Sequence, residues 1–466
     1  MLSYFKLNDP FRLVPLLLLA FLFKLPVFFN LIQYAEVTHW FVIGEAMQGG
    51  SMYTNIWDGL APFSASIYQA FTWLFGRSII MLYVLGTLLT FIQAAIINNF
   101  SIRAKIFENN TYLPAFVYVL FTSSHPAFFT LSPTLMGLTF VLLGLGNLLS
   151  HVEFRAKQDI QIVMIGLYLG SSTLFYFPYI VVIPISLILL AFFTNTLLRR
   201  YFLLLFSNFF PIISAFLYYW IISDHPGYFI YNFIKTWNFN AYYPNIGWGL
   251  GVIILFIPLL FFVVGLLSFG NQRRLTNYQS RVVQFFFFLG VFLMSMLLIE
   301  NPITHYSLVV YLVISTFVAV HFISLFKRTL YIILLNLFII VGPFVSLWSA
   351  THNWFPQFDI KAPSLESNKA YQSIIKNKSI MVLGSAKDLY TEAKLAGPFY
   401  DWGLSKDFFA HLDYYDNIVF LHKQLRHAKP QVIIDLENIW PTIEKQLPLI
   451  AKEYYQVQSN VWVRRP

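Results

Sequence analysis

The chain has 466 residues, 58% hydrophobic, 19% aromatic and only 11% charged, whereas an ordinary soluble chain carries about 25% charged residues. This excludes a soluble globular protein, and 51 Phe with 28 Tyr exclude a disordered one, which needs few aromatics. With no cysteine, disulfides, thiolate catalysis and cysteine-bound zinc are excluded as well. The net charge of +9 is explained by where the charges fall.

A helix needs about 20 mostly apolar residues to cross a bilayer. Long apolar runs between short polar breaks predict eleven such spans, at 11–31, 78–98, 112–130, 132–150, 160–175, 177–197, 201–222, 248–269, 283–300, 304–325 and 329–349. The tight pairs around 131 and 176 are separated only by Ser132-Pro133 and Pro178. Proline pushes the residue before it out of the helical region, so each break is read as a helix end. Merging either pair would flip the orientation of everything after it. The first apolar run is full length, contains Lys24 and has no small-residue cleavage site after it, so it reads as a retained helix and not a signal peptide.

With the N-terminus in the cytoplasm, thirteen Lys and Arg fall on the inner side of the membrane part, against Arg77 and Lys235 outside. That is a positive-inside bias. The basicity is topological, and no nucleic-acid partner is implied.

The first outer loop, 33–77, is long and holds Glu36, His39, Glu45 and Asp58. Ala35, Trp40, Ile43 and Met47 predict a short amphipathic helix lying on the membrane. Glu36 then stands one turn past the first crossing, where a lipid-borne phosphate can meet a water-borne acceptor. His39 is expected at the surface or paired with Glu36 one turn away, and Glu45 is expected to be solvated. Asp58 is either a turn cap or a functional carboxylate. Lys24 lies inside the first span, where it either snorkels or meets a phosphate.

The outer loop 223–247 sets Lys235 among Tyr228, Tyr231, Trp237, Tyr242 and Tyr243, an aromatic belt or a platform for a sugar. Glu300 and His305 flank the Asn301-Pro302 turn. Residues 1–349 therefore read as a polytopic transmembrane domain. From about 350 the chain carries 14 Lys/Arg against 12 Asp/Glu, a soluble balance. A strand at 379–384, a helix at 414–428 stopped by Lys429-Pro430, a strand at 431–435, a helix near 440–452 and a strand near 454–463 predict a small α/β domain over 350–466. Eleven crossings place it outside the cytoplasm. Within it, Leu383-Gly384-Ser385 has the look of a phosphate-binding turn, and Asp435 ends a strand.

A first helix, an acidic residue, a surface helix, Gly49-Gly50 and then Tyr53-x-x-x-Trp57-Asp58-x-x-x-Pro62 resemble the first loop of membrane glycosyltransferases of the GT-C superfamily. The likeness is closest to the bacterial relatives of protein mannosyltransferases and aminoarabinose transferases. Residues 111–150 and the ending Asn460-Val461-Trp462-Val463-Arg464-Arg465 are also similar to parts of that group. The resemblance covers the plan of the whole chain, with motifs over about 30 residues.

The resemblance implies transfer of a sugar or oligosaccharide from a polyprenyl-phosphate carrier to a lipid, glycan or protein hydroxyl. The reaction would take place on the outer face of a bacterial inner membrane. It implies that Glu36 is the catalytic base or a metal ligand. Two departures stand out. Glu36 is followed by Val37 where the family has an Asp-Glu pair, and the loop from Ser123-Ser124-His125-Pro126 to Ser132-Pro133 holds no carboxylate where the family has a second acid. The cofactor is thus left unknown: a divalent cation would lack that ligand, unless His125 takes its place.

The candidate catalytic residues are Glu36 and Asp58. Lys24, His39, Arg77, His125, Lys235 and Glu300 are candidates for substrate binding. The expected partners are the polyprenyl-linked donor, the bilayer, the acceptor and a protein docked on 350–466. Two other classes stay open, a non-catalytic membrane subunit whose tail docks a partner and, with less support, a transporter or lipid flippase.

Overall fold

The structure is a computed structural model that describes residues 2–29, 35–107, 109–154, 159–223, 227–235, 263, 277–299, 304–325, 341, 345, 347–348 and 369–465. It divides into two compact units. One comprises Met1–Ile32, Ile79–Ser214 and Asn245–Ala362, and the other Gln33–Ser78, Ala215–Pro244 and Pro363–Pro466.

The first unit is helical, as a chain in lipid must be to satisfy its backbone internally. After a single turn, α1 (Leu2–Phe5), come α2 (Leu13–Phe29), then α5 (Ile79–Arg103), α6 (Leu113–Thr122), α7 (Pro133–Phe154), α8 (Asp159–Phe175), α9 (Val182–Phe193) and α10 (Leu198–Ser223), whose residues from Ala215 on belong to the second unit. Two further helices are α12 (Asn277–Ile299) and α13 (Val309–Leu325). Five described helices are long and apolar enough to cross a membrane: Pro10–Phe29, Ile79–Arg103, Pro133–Val152, Leu198–Ile222 and Tyr278–Met296. Four shorter apolar ones are Leu113–Thr122, Asp159–Phe175, Phe177–Phe193 and His305–His321. Each of the nine falls on an expected span, although the helix on 112–130 covers only Leu113–Thr122. The expected spans 248–269 and 329–349 fall almost wholly outside the described residues, so the count of eleven rests on the sequence.

Both tight breaks are real helix ends. Before α7 the Ser132 hydroxyl accepts from the Leu135 amide, an N-cap one residue ahead of Pro133. After α8 a 3-10 turn, Phe177–Val181, separates it from α9. The packing also gives helix directions. Gln93 of α5 donates to the Leu135 carbonyl and to Thr139 of α7, while Phe100 further along α5 lies against Gly146, so α5 and α7 run parallel. Gly166 of α8 faces Leu204 and Ser207 of α10 and Gly170 faces Asn208, so these two also run parallel. Parallel neighbours require the segment between them to return, so α9 is a separate helix running back. Phe286 of α12 stacks on Phe317 of α13, and the Tyr311 hydroxyl donates to the Leu293 carbonyl, an antiparallel pair.

Close approach depends on two glycines. A Cβ on Gly86 would lie 2.0 Å from the Phe129 carbonyl oxygen, and one on Gly170 2.0 Å from that of Asn208. Small residues let helix backbones touch where lipid supplies no hydrophobic drive.

The second unit combines α3 (Ala35–Ala46), α4 (Pro62–Phe75) and α11 (Gly227–Lys235) with a five-stranded sheet and its helices. The strands β1 (Ser379–Leu383), β2 (Lys394–Leu395), β3 (Val432–Asp435), β4 (Tyr454–Gln458) and β5 (Val461–Arg464) lie in the order β2-β1-β3-β5-β4. The pairs β1/β2 and β1/β3 are parallel, and β3/β5 and β4/β5 antiparallel. Helices α14 (Lys369–Ile375), α15 (Trp402–Ala410), α16 (Tyr415–Ala428), α17 (Trp440–Gln446) and α18 (Pro448–Ala451) complete it. Its core joins Met381, Leu383 and Ile433 to Trp402, Phe409, Leu421, Leu425 and Trp440, and includes Trp57 of the first loop.

The expected strand near 454–463 is a hairpin turning at Ser459-Asn460, and the helix near 440–452 splits at Leu447-Pro448 because the proline ring cannot continue the first helix. Asp435 shapes the turn before α17, its two oxygens accepting from the amides of Glu437 and Trp440. Gly384 packs against Leu436.

Candidate functional site

The motif running from Tyr53 to Pro62 folds into a buried knot. The Tyr53 hydroxyl donates to the Leu60 carbonyl at 2.7 Å, and its amide donates to Ile56. The Trp57 amide donates to Pro398, and its carbonyl accepts from the Asp401 amide. Asn232 of α11 donates to the Tyr53 carbonyl at 2.9 Å. Pro62 opens α4, where its missing N–H costs nothing. The spacing therefore serves to clamp Asp58, which is 1% exposed, in one geometry.

Asp58 accepts from the Leu60 amide at 2.8 Å and from His39 Nε2 at 2.8 Å. Burial alone pushes its carboxyl up, but the His39 imidazole and its hydrogen bond, the Lys387 ammonium and the Leu60 amide together hold it below the usual value. His39 is 6% exposed, which corrects the expectation of a surface histidine. Its ring points to Asp58 and not to Glu36, and stacks on Tyr400 with centroids 5.2 Å apart. Lys387 Nζ lies 2.9 Å from Asp401 Oδ2 and 5.2 Å from the Tyr400 ring centre. The Tyr400 hydroxyl is buried and has no hydrogen-bond partner. Burial, first, and then Asp58 raise its ionisation well above the usual value.

Lys387, Tyr400 and Asp401 were not singled out from sequence. Their only signal there is the turn text Gly397-Pro398 just before Tyr400-Asp401, and no local pattern links it to a loop more than 300 residues earlier.

Glu36 lies in the first turn of α3. This helix is not the predicted membrane-surface helix with one solvated face: residues 36–43 are all buried, because it packs against α4, β2 and the 3-10 turn Lys387–Thr391 of its own unit. Glu36 Oε2 is buried without a hydrogen-bond partner. Burial pushes the carboxyl up to about 7, against the opposing effect of a backbone amide.

Arg77 has every N–H engaged by the protein. Nε and NH2 bind the two Glu45 oxygens at 3.0 and 2.8 Å. NH1 donates to the Tyr390 and Thr391 carbonyls, and NH2 also to Ala393. Glu45, expected to be solvated, is half of this bidentate pair. Arg77 thus holds the first loop to the C-terminal sheet and leaves no donor for a phosphate.

In the first unit, Lys24 is fully buried, which corrects the snorkelling expectation: Nζ donates to Thr90 at 2.8 Å and sits 4.6 Å from the Phe129 ring centre. His125 caps the 3-10 turn Pro126–Phe129, its Nδ1 accepting from the Ala127 amide at 3.3 Å, and stacks on His305 with centroids 5.2 Å apart. Lys235 ends α11, and Glu300 lies outside the described residues. Among the described residues no three His, Asp or Glu side chains converge to hold a metal ion.

No family model and no curated protein matches the chain. Among solved structures it is similar to ArnT from Cupriavidus metallidurans bound to undecaprenyl phosphate, with a TM-score of 0.56 at 13% identity over 98% of each chain. It is also similar to the same protein in the apo state, with a TM-score of 0.51 at 12% identity over 93% of each. At such identity the likeness is one of fold. From end to end the chain has an ArnT-like fold, as the motif in its first loop led one to expect.

Proposed function

We propose that the chain transfers a sugar from a polyprenyl-phosphate carrier to an acceptor hydroxyl on the outer face of a bacterial inner membrane, with its C-terminal domain on that side. The observation that carries this reading is Glu36, a buried carboxylate with an unpartnered oxygen and a pKa pushed up to about 7. It is held in one compact unit with the His39–Asp58 pair. A general base works best when its pKa lies near the operating pH.

In the reaction Glu36 takes the proton of the acceptor hydroxyl as its oxygen attacks the anomeric carbon. The bond from that carbon to the phosphate oxygen breaks, and polyprenyl phosphate leaves with the electron pair. The negative charge developing on the departing phosphate calls for a positive partner at the site. Asp58 positions His39 beside Tyr400 and completes the wall of the acceptor site.

Mass spectrometry of surface lipids, glycans and glycopeptides from wild-type, deletion and Glu36→Gln strains tests the reading. Loss of one glycan species in both mutants, with normal protein levels, is the expected result. A product retained in Glu36→Gln but lost in the deletion removes Glu36 from catalysis. With the purified enzyme, kcat/KM should fall as pH drops below about 7, because protonated Glu36 cannot accept the proton. A flat profile from pH 5 to 8 would contradict this role.

A further inference from the structure

One groove in the second unit lies outside the catalytic reading. It has a volume of about 530 Å³ and is lined by Asn55 of the first loop and by His422, Lys423, Gln424, Arg426 and His427 of α16. Leu421 and Leu425 turn the opposite face of α16 into the core. Helical spacing puts Tyr415, His422 and Arg426 on one stripe, seven and four residues apart, and Tyr415 is 78% exposed. The stripe is about 16 Å long at 1.5 Å per residue.

Arg426 pairs with Glu453 at 3.5 Å, and Glu453 is shared with Arg464 at 3.1 Å. Lys423 has no ion-pair partner among the described residues. Asn55 Oδ1 accepts from the amide and hydroxyl of Ser51, so the group it has to offer the groove is its NH2. The helix and the loop are one packed piece: Phe420 of α16 stacks on Trp57, the neighbour of Asp58, with centroids 5.4 Å apart.

We propose that this groove binds an anionic saccharide. Lys423 and Arg426 meet its carboxylate or phosphate groups, Asn55 donates to a hydroxyl, and the Tyr415 ring stacks on a sugar face. Arg and Lys give charge-assisted hydrogen bonds to such anions, and an exposed aromatic offers the flat apolar surface that a pyranose ring covers. The assignment of this saccharide to the acceptor rests on the transferase reading. The binding site itself does not, so it is measured without turnover.

The full chain carrying Glu36→Gln, in nanodiscs of phosphatidylcholine, is titrated with tetragalacturonate, maltotetraose and inorganic phosphate. Tetragalacturonate should bind, and maltotetraose should not. Lys423→Gln with Arg426→Gln should weaken binding roughly ten-fold, the loss of two exposed charge-assisted contacts. The matched pair Lys445→Gln and Lys452→Gln, exposed cations outside the groove, should leave binding unchanged. Tyr415→Ala should weaken tetragalacturonate but not phosphate, which separates a saccharide from a bare anion. Replacing part of the lipid by phosphatidylglycerol identifies a lipid headgroup as the true anion if it displaces tetragalacturonate in the wild-type groove, and that outcome overturns the saccharide. Equal binding by the groove and control variants, or equal binding of maltotetraose, overturns the site.

Discussion

Buried ionisable groups are held in this protein in two ways. Asp58 is surrounded by donors and stays ionised, whereas Glu36 has burial against it and one oxygen without a partner. Two carboxylates in one unit are thus pushed apart in acidity, the arrangement that separates a stabilising anion from a proton acceptor. Asp58→Asn should cost about 3 kcal/mol or more of stability, because it breaks a buried pair and strands His39, and thermal unfolding should show it at pH 7. The sign with pH follows. A carboxyl depressed in the folded state adds stability above the pH at which an unfolded Asp titrates, and that stability is lost as pH falls through the lower folded value. Wild type should therefore lose its advantage over Asp58→Asn in acid. Glu36 and Asp58 stood out in the sequence because the outer side has few acids. Their partners did not, since Lys387 and Tyr400 reach the loop only through tertiary folding.

Arg77→Lys belongs to the same scale but reports on the join between segments. One ammonium cannot replace a fork that meets a carboxylate and three carbonyls, so a loss of about 2–4 kcal/mol is expected. Glu45→Gln, which keeps the shape and removes the charge, should cost less.

Helices and strands followed local rules more closely. All nine described apolar helices fall on predicted spans, because lipid leaves a run of apolar residues little choice. The misreadings arose where a short element is decided by packing. The text of α3 has apolar residues at helical spacing, and its length was legible, but nothing local says that Glu36, Thr38 and His39 are covered as well. Strand β2, two residues long, carries no periodicity at all. Among the helices, Gly170→Val should force α8 and α10 apart, costing about 1–3 kcal/mol. A lowered unfolding temperature with the Glu36 pH profile unchanged would mark the effect as packing alone.

The two units do not follow the order of the chain. The second is assembled from Gln33–Ser78, Ala215–Pro244 and Pro363–Pro466, so the first loop and the soluble tail form one body, though the sequence presents them as parts of different domains. A chain ending at 362 should therefore still insert its helices yet lose the proposed transfer activity. Its loop 33–78 should also become open to limited proteolysis, while in the full chain it resists. The Arg77 contacts set a timetable for synthesis. The carbonyls that hold its guanidinium belong to residues made more than 300 positions later, so the loop emerges early and must wait through the making of nearly every helix before it can lock. During that interval Glu36 and Asp58 are not yet enclosed, and the knot around Asp58 closes only once Pro398 and Asp401 have been made.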